Sequence, residues 1–242
     1  MASSLTARQT QILKSLIDEY IETAVPVGSE NLDKKYNLGV SPATIRSEMN
    51  VLTKNGYLKQ PHTSSGRIPT PLAMKFYIDQ LMEEKQMSLT DEVKTKEDVW
   101  DSRKDLDSLL IEATKVLADK TKNIAVAATD EGKIWRAGFS NIFLNPEFSE
   151  IETCASIFSV IEEVDKMTEL FFQKAVSGSS IDVLFGEDLG WPGFNAVGIV
   201  ATHFNVYDKN VALGVIGPVG LSYPTVIPVL KYFRNLMEEV SL

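Results

Sequence analysis

The first eighty residues carry a dense series of helix start and stop signals, and this series constrains the fold more than any other feature of the chain. Thr6 and Gln9 have the spacing of a capping box, and apolar residues recur at helical spacing over residues 12–21. After a break that contains proline and glycine, a short second helix is expected over 30–36 with Ser29 as its N-cap. The chain therefore begins with a long helix and a short one, joined closely.

A third helix is predicted to begin at Ser41-Pro42. Serine is a favoured N-cap, and proline suits the first helical position because no N–H donor is needed there. The helix should end near Lys54, where an Asn-Gly pair predicts a left-handed C-terminal cap. Extended residues at 57–60 and 67–69 then flank a polar turn that contains glycine, which predicts a β-hairpin. Three helices followed by a two-stranded hairpin is the order of a winged helix-turn-helix.

The third helix has two chemically different faces. At 100° per residue, Ile45, Met49 and Leu52 form one apolar stripe, and the opposite face is small and polar. A narrow, polar helix with a few cations suits the DNA major groove, and a basic hairpin suits the adjoining backbone or minor groove. The alternative is that these side chains are ordinary solvated residues. The predicted DNA-binding residues are Ser41, Thr44, Arg46, Ser47, Asn50 and Lys54 on the helix and His62, Ser64, Ser65 and Arg67 on the hairpin.

The charge distribution agrees with a partner at the N-terminal end. The whole chain has a formal net charge of −9, but residues 1–80 contain nine basic and seven acidic side chains. The other 162 residues contain 15 basic and 26 acidic side chains. A weakly basic N-terminal segment in an otherwise acidic chain indicates one localised anionic partner rather than nonspecific binding of nucleic acid over the whole surface.

The rest of the chain is predicted as two further segments, 81–122 and 123–242. The first is expected to be a charged helical linker or dimerisation segment. Apolar residues at helical spacing over 106–117 fit packing inside a domain equally well. The second is expected to be a GAF-like sensor or regulatory domain with helices on one side of its strands, so the fold class of the whole chain is α+β. Strands are predicted at 124–129, 134–139, 181–185, 196–202, 204–207 and 211–216, and helices at 149–176, either continuous or broken, and at 223–240.

No pattern in the sequence indicates an enzyme, a cofactor or a metal. Phosphate loops, nucleophile elbows and the usual zinc motifs are missing, and one cysteine with two histidines does not make a zinc site. The Gly-Ser-Ser run at 178–180 has no histidine in any readable motif. No apolar run is long enough to span a membrane and no secretory signal is visible, so a cytoplasmic location is expected.

Residues 5–79 resemble the N-terminal domain of the HrcA family of bacterial heat-inducible transcription repressors. The segments EYIETAVPVGS, LGVSPATIRSEM and GYLKQPHTSSGRIPT carry the resemblance, and GFSNIFLNPEF, VLFGED and LGVIGPVGLSYPTVIPVLKYF extend it more loosely toward the C-terminus. The resemblance implies repression of chaperone operons by a homodimer on an inverted-repeat operator, and a chaperonin as a further partner. Family members are longer between residues 83 and 135 of this numbering, in a part that is credited with dimerisation.

An alternative function is a winged-helix regulator of a different operon that senses a ligand or a protein. A pocket lined by Phe139, Phe185, Trp191 and Phe204 would support it.

Overall fold

The computed structural model describes residues 5–240. The chain divides into two compact units, the first ending at Glu83 and the second beginning at Glu84. The three-part division at 80 and 122 stays a prediction, and residues 84–122 lie within the second unit. The first unit contains α1 (Ala7–Thr23), α2 (Ser29–Tyr36), α3 (Pro42–Lys54), β1 (Leu58–Lys59), β2 (Ile68–Pro69) and α4 (Pro71–Gln80).

Local capping signals determine where the helices of the first unit begin. The Gln9 N–H donates to Thr6 Oγ1 over 3.2 Å, and the Gln9 side chain accepts from the Thr6 N–H, so the predicted capping box is confirmed. The prediction of Ser29 as the N-cap of α2 was wrong. Gly28 occupies that position without a side-chain cap, because Ser29 is already helical and buried.

The predicted hairpin is present and is attached to the connection between α1 and α2. Leu58 lies opposite Pro69 in an antiparallel pair. Val27 and Arg67 exchange two backbone hydrogen bonds of 2.8 Å, which adds a short bridge beside the hairpin. A Cβ atom on Gly66 would lie 2.4 Å from the Val27 carbonyl oxygen, so only glycine allows the two backbones to approach this closely.

The core of the first unit is formed by the inner faces of its helices. Leu16 and Ile17 of α1 are fully buried with Ile45 of α3, and Tyr77 of α4 is 2% exposed. The Tyr77 hydroxyl donates to Asp18 Oδ1 over 2.6 Å, which gives the buried phenol a partner.

The second unit is an α+β domain, as predicted. Its five strands form one antiparallel sheet in the order β4-β3-β7-β6-β5. The elements are α5 (Leu89–Trp100), α6 (Leu106–Thr121), β3 (Ile124–Thr129), β4 (Ile134–Ala137), 3₁₀ helices at Phe139–Leu144 and Pro146–Phe148, α7 (Ile151–Glu162), α8 (Val164–Glu169), a π-helical turn (Leu170–Lys174), β5 (Asp182–Phe185), α9 (Gly186–Leu189), β6 (Val197–Val206), β7 (Lys209–Pro218) and α10 (Tyr223–Val240).

Helices cover both faces of this sheet, so the prediction of helices on one side was wrong. All six residues of β3 are buried, which requires cover on both faces because successive side chains point to opposite sides. Val126 and Ala128 belong to a core that includes Ile157 of α7. Helices α6 and α10 contact the sheet as well, and both have buried apolar faces.

The helix predicted over 149–176 is interrupted, and one side chain explains where α7 ends. Arg136 of β4 donates from Nε to the Ile161 carbonyl over 2.7 Å and from Nη2 to the Glu162 carbonyl over 3.4 Å. These carbonyls would otherwise lack partners at the helix end. β4 itself ends at Ala137, two residues before the predicted end, because Gly138 adopts a positive φ of 82°.

β6 is one continuous strand, although a break at His203 was predicted. The ring Nε2 of His203 donates to the Phe171 carbonyl over 2.7 Å, so the polar side chain is accommodated within the strand. Tyr207 and Asp208, both with positive φ, then form the tight turn into β7. The final helix has the bounds that the sequence predicts.

Candidate nucleic-acid interface

α3 presents the polar face that its sequence predicts. Its inner stripe is buried, with Ile45 and Leu52 at 0% exposure and Met49 at 4%. Of the predicted helix residues, Thr44 is half-buried and the others are exposed, namely Ser41, Arg46, Ser47, Asn50 and Lys54.

The N-terminus of α3 is capped by its own side chains. Ser41 Oγ accepts the Thr44 N–H over 3.2 Å, and the two hydroxyl oxygens lie 3.0 Å apart in a hydrogen bond. Pro42 occupies the first turn of the helix. Ser41 and Thr44 are therefore held together at the end of the helix that is favourable to anions.

Glu48 is the only acidic residue of α3, and two residues at the start of α1 bind its carboxylate. Gln9 Nε2 donates to Glu48 Oε2 over 3.0 Å, and Arg8 Nη1 lies 3.8 Å from Glu48 Oε1. The Glu48 side chain is 20% exposed. The negative charge is therefore partly neutralised and directed toward α1, which favours an anion at the exposed face that carries Arg46 and Lys54.

The turn of the hairpin is ordered by its own polar groups. Gln60 Nε2 donates to the carbonyls of Thr63 and Ser65, each over 2.9 Å. Ser65 Oγ accepts the His62 N–H over 3.0 Å and donates to the His62 carbonyl over 2.7 Å. The side chains of His62 and Ser64 remain exposed, whereas the Ser65 hydroxyl has an internal role.

Arg67 lies against α3. Its Nη2 donates to Asn50 Oδ1 over 2.8 Å, and its Nε donates to Thr53 Oγ1 over 3.2 Å. The guanidinium therefore connects the hairpin to the polar face of the helix. Thr53 and Gln60 take part in these contacts, although neither was among the predicted site residues. The helical spacing of three residues between Asn50 and Thr53 was the signal that could have revealed Thr53.

A polar cleft of about 410 Å³ lies between α3, the hairpin turn and the start of α2. It brings together half of the predicted set, namely Arg46, Asn50, Ser64, Ser65 and Arg67, and adds Gln60 and Ser29. Ser41, Thr44, Ser47, Lys54 and His62 lie outside its lining. The cleft is lined mainly by hydrogen-bonding side chains from separate segments of the chain, so it can bind a polar ligand at several points.

A serine, an aspartate and a histidine come together in the second unit, where the sequence suggested no such cluster. Asp182 is buried, accepts from the N–H of Ser177 over 2.9 Å and from its hydroxyl, and lies 3.6 Å from His203 Nδ1. This is not a nucleophilic triad, because the serine donates to the aspartate and the histidine Nε2 is bound to a carbonyl.

The four aromatic residues considered for a ligand pocket pack in different places. Phe185 contacts the Tyr223 ring, Trp191 contacts Phe194, and Phe139 contacts Phe158. Phe185, Trp191 and Phe204 are buried, whereas Phe139 is 39% exposed.

Within residues 5–240 no group of three metal-ligating side chains is present, and no helix is long and apolar enough to cross a membrane.

Comparison with known proteins gives a consistent result. The model of the HrcA protein C-terminal domain matches residues 73–227. The heat-inducible transcription repressor HrcA of Carboxydothermus hydrogenoformans is 25% identical over 334 aligned positions, which include 96% of this chain and 97% of that protein. The repressor of the same name from Symbiobacterium thermophilum is 43% identical over 119 positions, or 49% of this chain and 35% of that protein.

A solved crystal structure, described only as that of a hypothetical protein, has the same fold. Its TM-score is 0.73 at 18% identity, with 98% of this chain and 97% of that chain covered.

The two units and the family match define a transcription regulator with a helical N-terminal unit and an α+β C-terminal unit. The chain belongs to the HrcA family of heat-inducible transcription repressors. An alignment of 334 positions with a chain of 242 residues contains gaps in this chain, so that relative has segments that this chain lacks.

Proposed function

We propose that this protein represses heat-shock chaperone operons by binding an inverted-repeat DNA operator as a homodimer. The observation that carries the proposal is the exposed polar face of α3, which lies across a cleft from a polar hairpin while its only carboxylate is bound by α1. In this proposal the first unit is a winged helix, α3 is its recognition helix, and the hairpin is its wing.

The residues of the surface divide into two roles. Arg46, Ser47 and Asn50 lie on the exposed middle of the helix, where side chains reach base edges in a major groove. The ends of the helix and the hairpin turn suit phosphates, since phosphate contacts set the register of a protein on DNA. This second group contains Ser41, Thr44, Lys54, His62 and Ser64, whereas the Ser65 hydroxyl orders the turn.

A homodimer follows from the proposed operator. An inverted repeat has twofold symmetry, and two copies related by a twofold axis present two equivalent recognition helices to it. The compartment of action in this proposal is the cytoplasm, where the DNA lies.

The second unit is proposed to be a GAF-like sensor, and a chaperonin is proposed as its partner. The five-stranded antiparallel sheet supports the first part. Large apolar side chains are exposed around the 3₁₀ helices, with Phe143 at 70%, Leu144 at 72% and Ile151 at 81%. Exposed apolar groups of this kind are suited to a protein partner, and a chaperonin is the partner proposed for them.

Arg46→Ala tests the surface directly. If Arg46 contacts a base through two hydrogen bonds, its loss should weaken operator binding by about 1–3 kcal/mol and leave binding to random DNA nearly unchanged. Fluorescence anisotropy with both DNAs measures the difference. Arg234→Ala is the matched control, because it removes a partly exposed arginine of the second unit that pairs with Glu238. An equal loss on both DNAs would make Arg46 a phosphate contact, and no loss on either would contradict the proposed surface.

A further inference from the structure

Arg67 is held both by its backbone and by its guanidinium group. Its backbone exchanges two hydrogen bonds of 2.8 Å with Val27, and its guanidinium donates to Asn50 and Thr53 of α3. The Thr53 hydroxyl donates in turn to the Met49 carbonyl over 2.8 Å, so its oxygen lone pairs face the arginine. Each hydrogen bond in this chain of contacts has a fixed donor and a fixed acceptor.

This arrangement determines the orientation of the Asn50 amide. The oxygen and the NH₂ group of an asparagine side chain have nearly the same shape, and an unrestrained amide can exchange them by a half-turn. A guanidinium only donates, so the group that faces Arg67 Nη2 at 2.8 Å must be the oxygen. The NH₂ group of Asn50 is then held on the other side of the amide.

We propose that Arg67 is a positioning residue that makes Asn50 selective for the purine–pyrimidine orientation of one base pair of the operator. The inference rests on the proposed function. With its orientation held, the amide directs its N–H donors toward a base acceptor such as a purine N7. When the base pair is reversed, the amide does not flip to present its oxygen to a donor instead. Thr53 assists by binding Nε and keeping the plane of the guanidinium aligned.

The experiment measures base preference at each operator position with the full chain. Anisotropy titrations use a set of inverted-repeat duplexes in which each half-site position is changed symmetrically to the other three base pairs. Asn50→Ala locates the position that Asn50 contacts, because discrimination there should fall from about tenfold or more to near unity. Arg67→Lys and Thr53→Val are then measured on the same set.

Arg67→Lys keeps the positive charge but loses the planar fork. It should reduce discrimination at the Asn50 position several-fold, which is more than any change in affinity that all duplexes share. Thr53→Val should have a smaller effect at the same position, and Thr53→Ser, which keeps the hydroxyl, should restore the wild-type profile. Thermal melts show whether each variant is folded, and the threonine pair decides the question if Arg67→Lys is not.

Three results would overturn the inference in distinguishable ways. Unchanged discrimination in folded Arg67→Lys and Thr53→Val, beside a loss in Asn50→Ala, would show that the amide needs no positioning. A uniform loss for Arg67→Lys on every duplex would make Arg67 a direct contact to the minor groove or backbone. An unchanged profile for Asn50→Ala would remove Asn50 from base recognition and leave the proposed function in place. Only a wild type without any sequence preference would remove the proposed function as well.

Discussion

At the scale of single residues, the polar surface is organised by contacts that exist without DNA. Gln60 orders the hairpin turn, Arg67 holds the Asn50 amide, and Gln9 binds the carboxylate of Glu48. A surface whose side chains are already positioned loses less conformational entropy on binding, so more of its interaction energy is available for affinity and selectivity.

Gly66→Ala should destabilise the first unit, because the new methyl group would lie 2.4 Å from the Val27 carbonyl oxygen. We expect a loss of about 1–3 kcal/mol in the free energy of unfolding, the usual range for overpacking. Urea denaturation of the full chain measures it. Ser64→Ala in the same exposed turn is the control, with an expected change within about 0.5 kcal/mol. Equal stability of Gly66→Ala and wild type would show that the bridge between Val27 and Arg67 adjusts freely.

The first unit should lose stability at alkaline pH. Burial raises the pKa of Tyr36 to about 12, and the hydrogen bond from its hydroxyl to Glu19 contributes. A pKa raised by folding stabilises the protein below about pH 10, the ordinary phenol value, and this stabilisation is lost as the pH rises toward 12. Burial also raises the pKa of Tyr77, with its hydrogen bond to Asp18 as the next cause.

Urea midpoints measured between neutral pH and pH 12 test this expectation. Tyr36→Phe should flatten the alkaline part of the curve, whereas Tyr207→Phe in the second unit should leave the unfolding of the first unit unchanged. An identical alkaline slope in Tyr36→Phe and wild type would show that this hydroxyl does not contribute.

At the scale of elements, most parts of the fold that depend on neighbouring residues were predictable from the sequence, and the N-cap of α2 at Gly28 is an exception. Ser41-Pro42 marks a helix start, and the hairpin follows from its turn, because caps and turns use groups only a few residues apart. The buried stripe of α3 follows from helical periodicity.

The parts that depend on distant residues were not predictable. α7 ends where Arg136 of β4 donates to the carbonyl of Ile161. β6 continues at His203, where the ring donates a hydrogen bond to the Phe171 carbonyl. The helical cover on both faces of the sheet likewise depends on how distant segments pack. In the candidate site the exposed face was predictable, whereas the contacts of Arg67 with Asn50 and Thr53 were not, because they join the hairpin to another element.

Arg136→Ala should destabilise the second unit. The substitution leaves the Ile161 carbonyl without its 2.7 Å donor at the end of α7, and an unsatisfied buried group costs about 1–3 kcal/mol. Chemical denaturation monitored by tryptophan fluorescence measures the change. Lys133→Ala is the control, because the Lys133 side chain lies in an exposed pair with Asp107 at 3.6 Å. A change as small as that of the control would mean that water replaces the arginine.

At the scale of the whole molecule, charge separates the two units. The N-terminal eighty residues have slightly more cations than anions, whereas the remainder is strongly acidic. We expect DNA to be attracted to the first unit and repelled by the second, so binding should depend on salt through a limited number of phosphate contacts. The acidic body should also keep weak, sequence-independent binding low, which favours selectivity.

The most direct test of the account is the binding of the full chain to an inverted-repeat chaperone operator across a series of salt concentrations. Anisotropy titrations would include a scrambled duplex and a single half-site, with the stoichiometry measured at high DNA concentration. The proposed function predicts tight binding of two chains to the inverted repeat, weaker binding to the half-site and to scrambled DNA, and a log–log salt slope of about −0.9 for each phosphate neutralised. Equal, weak binding to all three DNAs would contradict it.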